Sequence, residues 1–186
     1  ASRAVAANSI EVKNSGTVRY HNLKTVINTQ KEIVTVSRSG ELGVLDDSGR
    51  EKERYKIPYG AIIKLKDNTP VDRGQNIVTW DPHSTPIITE TAGIIEFEDF
   101  EDGISIENIV DDLTGITSIK VKDTSSVSFD KNLKPMIKLV DSRGKDLLIT
   151  NSKLPAHFLL PSNSTVNVSA GTNVGVGDVI DRTPRQ

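Results

Sequence analysis

The chain has no cysteine, one methionine and one tryptophan, and aromatic residues fill only 4% of its 186 positions. Without thiols there is no disulfide framework, no thiolate metal site and no cysteine nucleophile. Nor is there an excess of positive charge: 23 Lys and Arg stand against 25 Asp and Glu, a formal net charge of -2. A nucleic-acid binder normally shows a clear basic surplus, so that class is disfavoured. No apolar run approaches the ~20 residues that span a bilayer, and no membrane partner is expected. The first residues, "ASRAVAANSI", lack both an initiator Met and the apolar centre of a signal peptide. They read as cut from a longer chain, with a cytoplasmic origin.

What is abundant is Val, Ile and Thr, broken by turn residues every eight to twelve positions, the pattern of many short strands in a sandwich or barrel. Apolar residues alternate in "TVRYHNL" (Val18, Tyr20), "IKLKD" (Ile63, Leu65), "STVNVSA" (Val166, Val168), "TSIKVKD" (Ile119, Val121) and "PMIKLVD" (Ile137, Leu139). A period of two with one apolar face means strands half buried against a second layer. Turn signals separate them at Ser39-Gly40, Ser48-Gly49, Asp102-Gly103, Arg143-Gly144 and Gly175 to Gly177. Residues 1–7, rich in Ala, form the single candidate helix and are too short to stand alone. The expected fold class is all-β.

The chain also repeats itself. "NTPVDRGQNIVTWDP" (68–82) is echoed by "GTNVGVGDVIDRTP" (171–184). At a fixed offset Pro58 matches Pro161, Ile63 Val166, Leu65 Val168, Val71 Val174, Gly74 Gly177 and Ile77 Ile180. Upstream, "VLDDSGREK" (44–52) resembles "LVDSRGKDL" (139–147), after which the second copy carries roughly eight extra residues around Lys153 to His157. One repeat in about 100 residues implies two tandem domains of similar fold. Their seam falls near "WDPHSTPII", where Pro82 and Pro86 each remove a ladder donor.

Candidate chemistry is sparse. The repeated element reads as a hairpin, with Val71 and Val174 plugging inward and Gly74 and Gly177 at backbone angles closed to other residues. It resembles the hairpins of biotinyl and lipoyl carrier domains. That family's chemistry needs a Lys at the tip, flanked as Met-Lys-Met or Asp-Lys-Ala, and neither tripeptide occurs; the one methionine is Met136 in "KPMIK". His21, His83 and His157 are scattered and none forms a ligand pattern. Asp81-Pro82-His83-Ser84 reads as a turn, since adjacent residues in an extended loop do not converge as a catalytic triad. The acidic stretch "EFEDFEDG" (96–103) is either a site for a basic partner or divalent cation, or a strand with Ile95 and Phe97 inward and Glu96 and Glu98 outward. "REKERYK" (50–56) mixes both charge signs and reads as a solvated face. No Gly-rich phosphate loop opens a helix. No catalytic, cofactor-binding or metal-binding residue is therefore assigned.

Four landmarks, "YKIPYGAII", "WDPHSTPIITETAG", "DDLTGITS" and "GDVIDRTPRQ", occur in an order and spacing that resemble a known segment. It is the large trigger-loop insertion in the β′ subunit of proteobacterial, gammaproteobacterial-type RNA polymerase, and the resemblance runs end to end. It implies two tandem sandwich-barrel hybrid motifs of biotinyl/lipoyl-like topology. Residues 1–7 would be the end of a trigger helix or linker, 8–84 the first motif and 85–186 the second. It implies no cofactor in this fragment: the polymerase's Mg²⁺ ions, which stabilise attacking and leaving oxygens, are bound elsewhere in the subunit. The implied role is mechanical, altering elongation, pausing and transcript cleavage. The implied partners are other polymerase subunits and β′ regions near downstream DNA and secondary-channel factors, with the isolated fragment a monomer. The competing reading is a free-standing β module that binds a protein or carries a prosthetic group.

Overall fold

The computed structural model describes residues 8–123, 133–149 and 152–185. Residues 1–7, where the sequence offers its short helix, lie outside that set, and among the described residues there is no helix. The chain divides into two compact units between Thr85 and Pro86. The first holds β1 (Ser9–Glu11), β2 (Gly16–His21), β3 (Thr25–Ile27), β4 (Ile33–Thr35), β5 (Glu41–Leu45), β6 (Glu51–Lys56), β7 (Ile62–Ile63), β8 (Pro70–Val71) and β9 (Asn76–Thr79). The second is built from β10 (Ser84–Ile88), β11 (Gly93–Glu98), β12 (Ile106–Val110), β13 (Thr117–Val121), β14 (Met136–Val140), β15 (His157–Leu159), β16 (Thr165–Val166), β17 (Asn173–Val174) and β18 (Val179–Pro184). The all-β expectation holds.

Each unit contains one five-stranded and one four-stranded sheet. In the first the orders are β1-β9-β7-β4-β3 and β6-β5-β2-β8; in the second they are β10-β18-β16-β13-β12 and β15-β14-β11-β17. Advancing every label by nine turns one set into the other. The registers agree too: Val18 opposes Val44 where Ile95 opposes Leu139, and Gly16 opposes Val71 where Gly93 opposes Val174.

The bends repeat as faithfully as the strands. Positive φ angles fall at matched places: Asn22 and Asp99, Gly49 and Gly144, Gly60 and Asn163, Asn68 and Gly171, Gly74 and Gly177, and Lys31 and Gly115. Asp46 and Asp141 close the same turn. Each side chain accepts from the amides two and four residues ahead, at 2.9 Å for Ser48 and Arg50, and at 2.8 and 3.0 Å for Arg143 and Lys145. Turns of this kind fix where each strand ends.

Each unit has its own core. Val18, Leu42, Val44, Ile63, Ile77 and Val78 centre the first, and Ile95, Val121, Ile137, Leu139 and Ile180 the second. Strand alternation places these residues on inward faces of two sheets, as expected for half-buried β ribbons.

Two expectations change. The repeated "hairpin" is not one, because β8 pairs with β2 whereas β9 pairs with β1 and β7. Its turn carries the chain from one sheet to the other, and β17 and β18 do the same in the second unit. Val71 and Val174 are buried as the sequence suggests, and Gly74 and Gly177 sit at φ 86° and 88°. The alternating stretches "IKLKD" and "STVNVSA" contribute only two-residue strands, Ile62–Ile63 and Thr165–Val166. The extra residues of the second copy fold back on themselves, with Leu148 bridging to Pro155 and the Leu147 amide donating to the Leu139 carbonyl at 3.0 Å.

Candidate interaction site

The residues singled out by sequence do not assemble into a reactive centre. The Asp81 carboxylate accepts from the His83 amide at 2.8 Å and from the Ser84 hydroxyl at 2.6 Å, the contacts of a turn, while His83 itself is exposed. His21 meets Glu51 at 2.7 Å and His157 meets Asp146 at 3.1 Å. These histidine–carboxylate pairs join distant parts of the sequence and were not legible in it. Among the described residues, no three His, Cys, Asp or Glu side chains come together as a metal set. The tips of the two sheet-crossing turns carry Arg73 and Val176.

The exposed faces of the four-stranded sheets differ in kind. In the first unit Gly43 leaves a floor on which Glu51 rests; a Cβ there would stand 2.4 Å from the Glu51 Oε2. Above it Arg54 joins Glu51 at 3.3 Å and Glu41 at 3.2 Å, so His21, Glu51, Arg54 and Glu41 form one surface network. Burial alone would raise the Glu51 carboxyl, but hydrogen bonding from His21 and the Arg54 charge outweigh it and hold the group below its ordinary value. Glu53 is likewise lowered, with burial opposed by hydrogen bonds from Tyr55, Lys13 and Asn14. "REKERYK" is thus β6, with Lys52, Arg54 and Lys56 turned to solvent. In the second unit Lys138 takes the place of Gly43 and pairs with Glu98 at 2.8 Å. The acidic stretch follows the strand reading: Ile95 is buried, Glu96 is exposed and Phe97 stacks on Phe100 with centroids 4.2 Å apart.

The five-stranded sheets differ more. Across the face that points away from the core, the first unit lines up Val26, Val34, Ile62 and Thr79. The matched row of the second unit reads Glu107, Lys120, Thr165 and Arg182. Beside the first row is an open recess of about 670 Å³, lined by Ile27, Ile33 and Ile62 and rimmed by Lys31, Lys64 and Lys66. At the matched edge of the second unit β12 and β13 run on as a longer ribbon. Ile109, Val110 and Ile116 are exposed there, and Leu113 at its turn is 96% exposed. The near-neutral total hides a division of charge. Residues 1–85 carry 13 Lys and Arg against 10 Asp and Glu, and residues 86–186 carry 10 against 15.

One buried group has no counterpart among the residues that the sequence singles out. Asp181 and Ser164 are both fully buried, and apart from the contact between them neither side chain has a polar partner among the described residues. Burial raises the Asp181 carboxyl from 3.8 to about 7, with the neighbouring Ser164 hydroxyl pulling the other way. The repeat itself held the signal, because Asp181 and Ser164 align with the apolar Val78 and Ala61.

No protein-family profile matches the chain. Its relatives are segments of a much longer polypeptide. It is 47% identical over its whole length to the DNA-directed RNA polymerase subunit beta' of Pseudomonas aeruginosa strain UCBPP-PA14. The same subunit of Saccharophagus degradans is 50% identical, and that of Xanthomonas euvesicatoria 48%, again across the entire chain. End to end, this all-β chain is therefore matched by one segment of a single large subunit. The chain corresponds to a segment of the β′ subunit of DNA-directed RNA polymerase and spans 13% of the length of these relatives.

Proposed function

We propose that the chain is a non-catalytic, lineage-specific insertion in the β′ trigger loop that modulates trigger-loop folding, elongation, pausing and transcript cleavage. The observation that carries this reading is that a span of β′ homology closes into two self-contained β units, each with its own hydrophobic core. Such a part acts by mass and contact. A trigger loop that folds on nucleotide binding must carry the units with it, and contacts that differ between open and closed states bias that equilibrium. On this reading the Mg²⁺ of the parent polymerase is held elsewhere in the subunit; among the described residues no three His, Cys, Asp or Glu side chains come together. The working location is the cytoplasm, within the polymerase, against other subunits and β′ regions.

Deletion of residues 8–184 from the parent subunit tests the reading. The assembled enzyme is expected to keep phosphodiester bond formation while its pause lifetimes and transcript-cleavage rates change. Loss of bond formation in a correctly assembled enzyme overturns it.

A further inference from the structure

We propose that the recess beside β3 is a docking site for an acidic, extended segment of another part of the polymerase, one that also carries apolar side chains. The inference rests on the reading of this chain as a polymerase component and goes beyond it by naming the surface and the chemistry of its occupant.

Three features converge there. The recess is lined by the apolar residues Ile27, Ile33, Ile62 and Ile63, with Ile27 54% exposed at the sheet edge. Its rim carries Lys31, Lys64 and Lys66, and among the described residues none of them is in an ion pair. The one acidic residue lining it, Glu32, accepts from the Asn28 side chain at 3.1 Å. The local charge therefore favours a carboxylate-bearing partner. β3 ends its sheet, so its outer backbone groups stand ready for an added strand. A nucleic acid strand fits less well. Among the described residues no aromatic side chain lines the recess to stack a base, and its apolar lining is isoleucine.

The backbone at Lys31 points the same way. Five non-glycine residues among those described have positive φ; four are Asn or Asp, which tolerate that region, and the fifth is Lys31 at 65°. The β3–β4 turn is otherwise orderly, with Asn28 Oδ1 accepting from the Gln30 and Glu32 amides at 3.0 and 2.9 Å. The matched turn of the second unit has Gly115 at that place, with φ 72°. A lysine is held where glycine is the relaxed choice, and its side chain rims the recess. Strain retained at a ligand-facing position is a mark of binding function.

The test uses purified, assembled polymerase carrying Ile27→benzoylphenylalanine in this segment of β′. Irradiation should give a crosslink that mass spectrometry maps to an Asp- and Glu-rich protein segment of the same assembly. Lys64→Glu with Lys66→Glu should cut its yield about tenfold, a loss of the size expected when rim charges turn from attractive to repulsive. Lys31→Gly separates binding from folding. It should raise the melting temperature of the first unit by about 4 °C, followed through Trp80, while lowering the crosslink yield. No specific crosslink, a crosslink to a basic segment or to nucleic acid, or a yield unmoved by lysine reversal each overturns the proposal. Altered pausing on deletion of residues 8–184 without this crosslink rejects the recess alone. A crosslink without altered pausing keeps the recess and rejects the regulatory reading.

Discussion

Where the first unit buries Val78 against its sheet, the second buries Asp181; where the first has Ala61, the second has Ser164. Both places are fully buried in both units, and the strand order around them is the same. The aromatic positions diverge too. Tyr20 and Tyr55 of the first unit donate their hydroxyls to the Leu65 carbonyl and the Glu53 carboxylate. Their matches by register, Phe97 and Phe158, have no hydroxyl. The shared features are turn geometry and the inward rows of strand residues; the polar chemistry of the interior is not shared. Topology is therefore set by periodicity and bends, and the second unit carries a polar pair that its fold does not require.

The comparison breaks most sharply at Gly16 and Gly93, which hold the same register position. A Cβ at Gly16 would stand 2.1 Å from the Leu45 carbonyl oxygen, whereas at Gly93 the nearest atom is the Leu147 side-chain tip at 2.6 Å. Backbone cannot step aside; a leucine methyl can. Gly16→Ala is expected to destabilise the first unit by about 3 kcal/mol, and Gly93→Ala the second by about 1 kcal/mol. Trp80, the chain's one tryptophan, packs on the first core and reports that unit's unfolding, while amide hydrogen exchange resolves the other. Equal costs at the two sites would mean that the paired glycines serve the same packing.

Asp181 gives the next largest effect and a pH signature. Its folded value, about 7, lies above the ordinary carboxyl value of 3.8. Below pH 4 both folded and unfolded chains hold the proton and nothing is lost. From pH 4 to 7 the unfolded chain releases it first, so the second unit weakens as pH rises, by no more than about 1.4 kcal/mol per pH unit. In the first unit, Glu51 and Glu53 are shifted the other way, and their contribution is lost as pH falls through the range where carboxylates protonate. Acidification from pH 7 to 5 should therefore strengthen the second unit and leave the first nearly unchanged. Asp181→Val with Ser164→Ala, which copies the first unit's solution, should stabilise the second by about 2 kcal/mol at pH 7 and flatten its profile. A steep profile surviving in that double variant would assign the pH dependence to other groups.

The sequence displayed the strands, the tandem repeat and the turns at Ser48-Gly49 and Arg143-Gly144, because each is written in local pattern: alternation and Gly placement. It displayed poorly whatever depends on distant pairing. The segments at 68–82 and 171–184 look like hairpins because two apolar stretches flank a tight turn, and only the partner strands reveal that each crosses between sheets. His21 finds Glu51 thirty residues away, which no spacing rule anticipates. The recess draws on β3, β4, β7 and β9, and Lys31 betrays its role only through a backbone angle. Asp181 is the instructive case. Alignment of the repeat puts it opposite Val78, and a polar residue in an otherwise apolar row stands out from residue order alone.

The smallest effect tests the pairing of Lys31 with Gly115. If the two turns are equivalent and the left-handed angle is the only strain, Gly115→Lys should reproduce in the second unit what the first already tolerates. A side chain at φ 72° costs about 1 kcal/mol relative to glycine, and nothing within 4 Å of a Cβ at Gly115 would add to that. The turn hydrogen bonds that hold the position, Gly115 amide to the Asp111 carbonyl at 2.7 Å and Leu113 amide to the Asp111 side chain at 2.9 Å, do not involve the glycine's missing side chain. Hydrogen exchange of the β12–β13 amides should therefore accelerate about fivefold, with the exchange of β14 unchanged. An acceleration spreading into β14 would show that this ribbon is coupled to the core of its unit, and that the two turns match in outline but not in what they support.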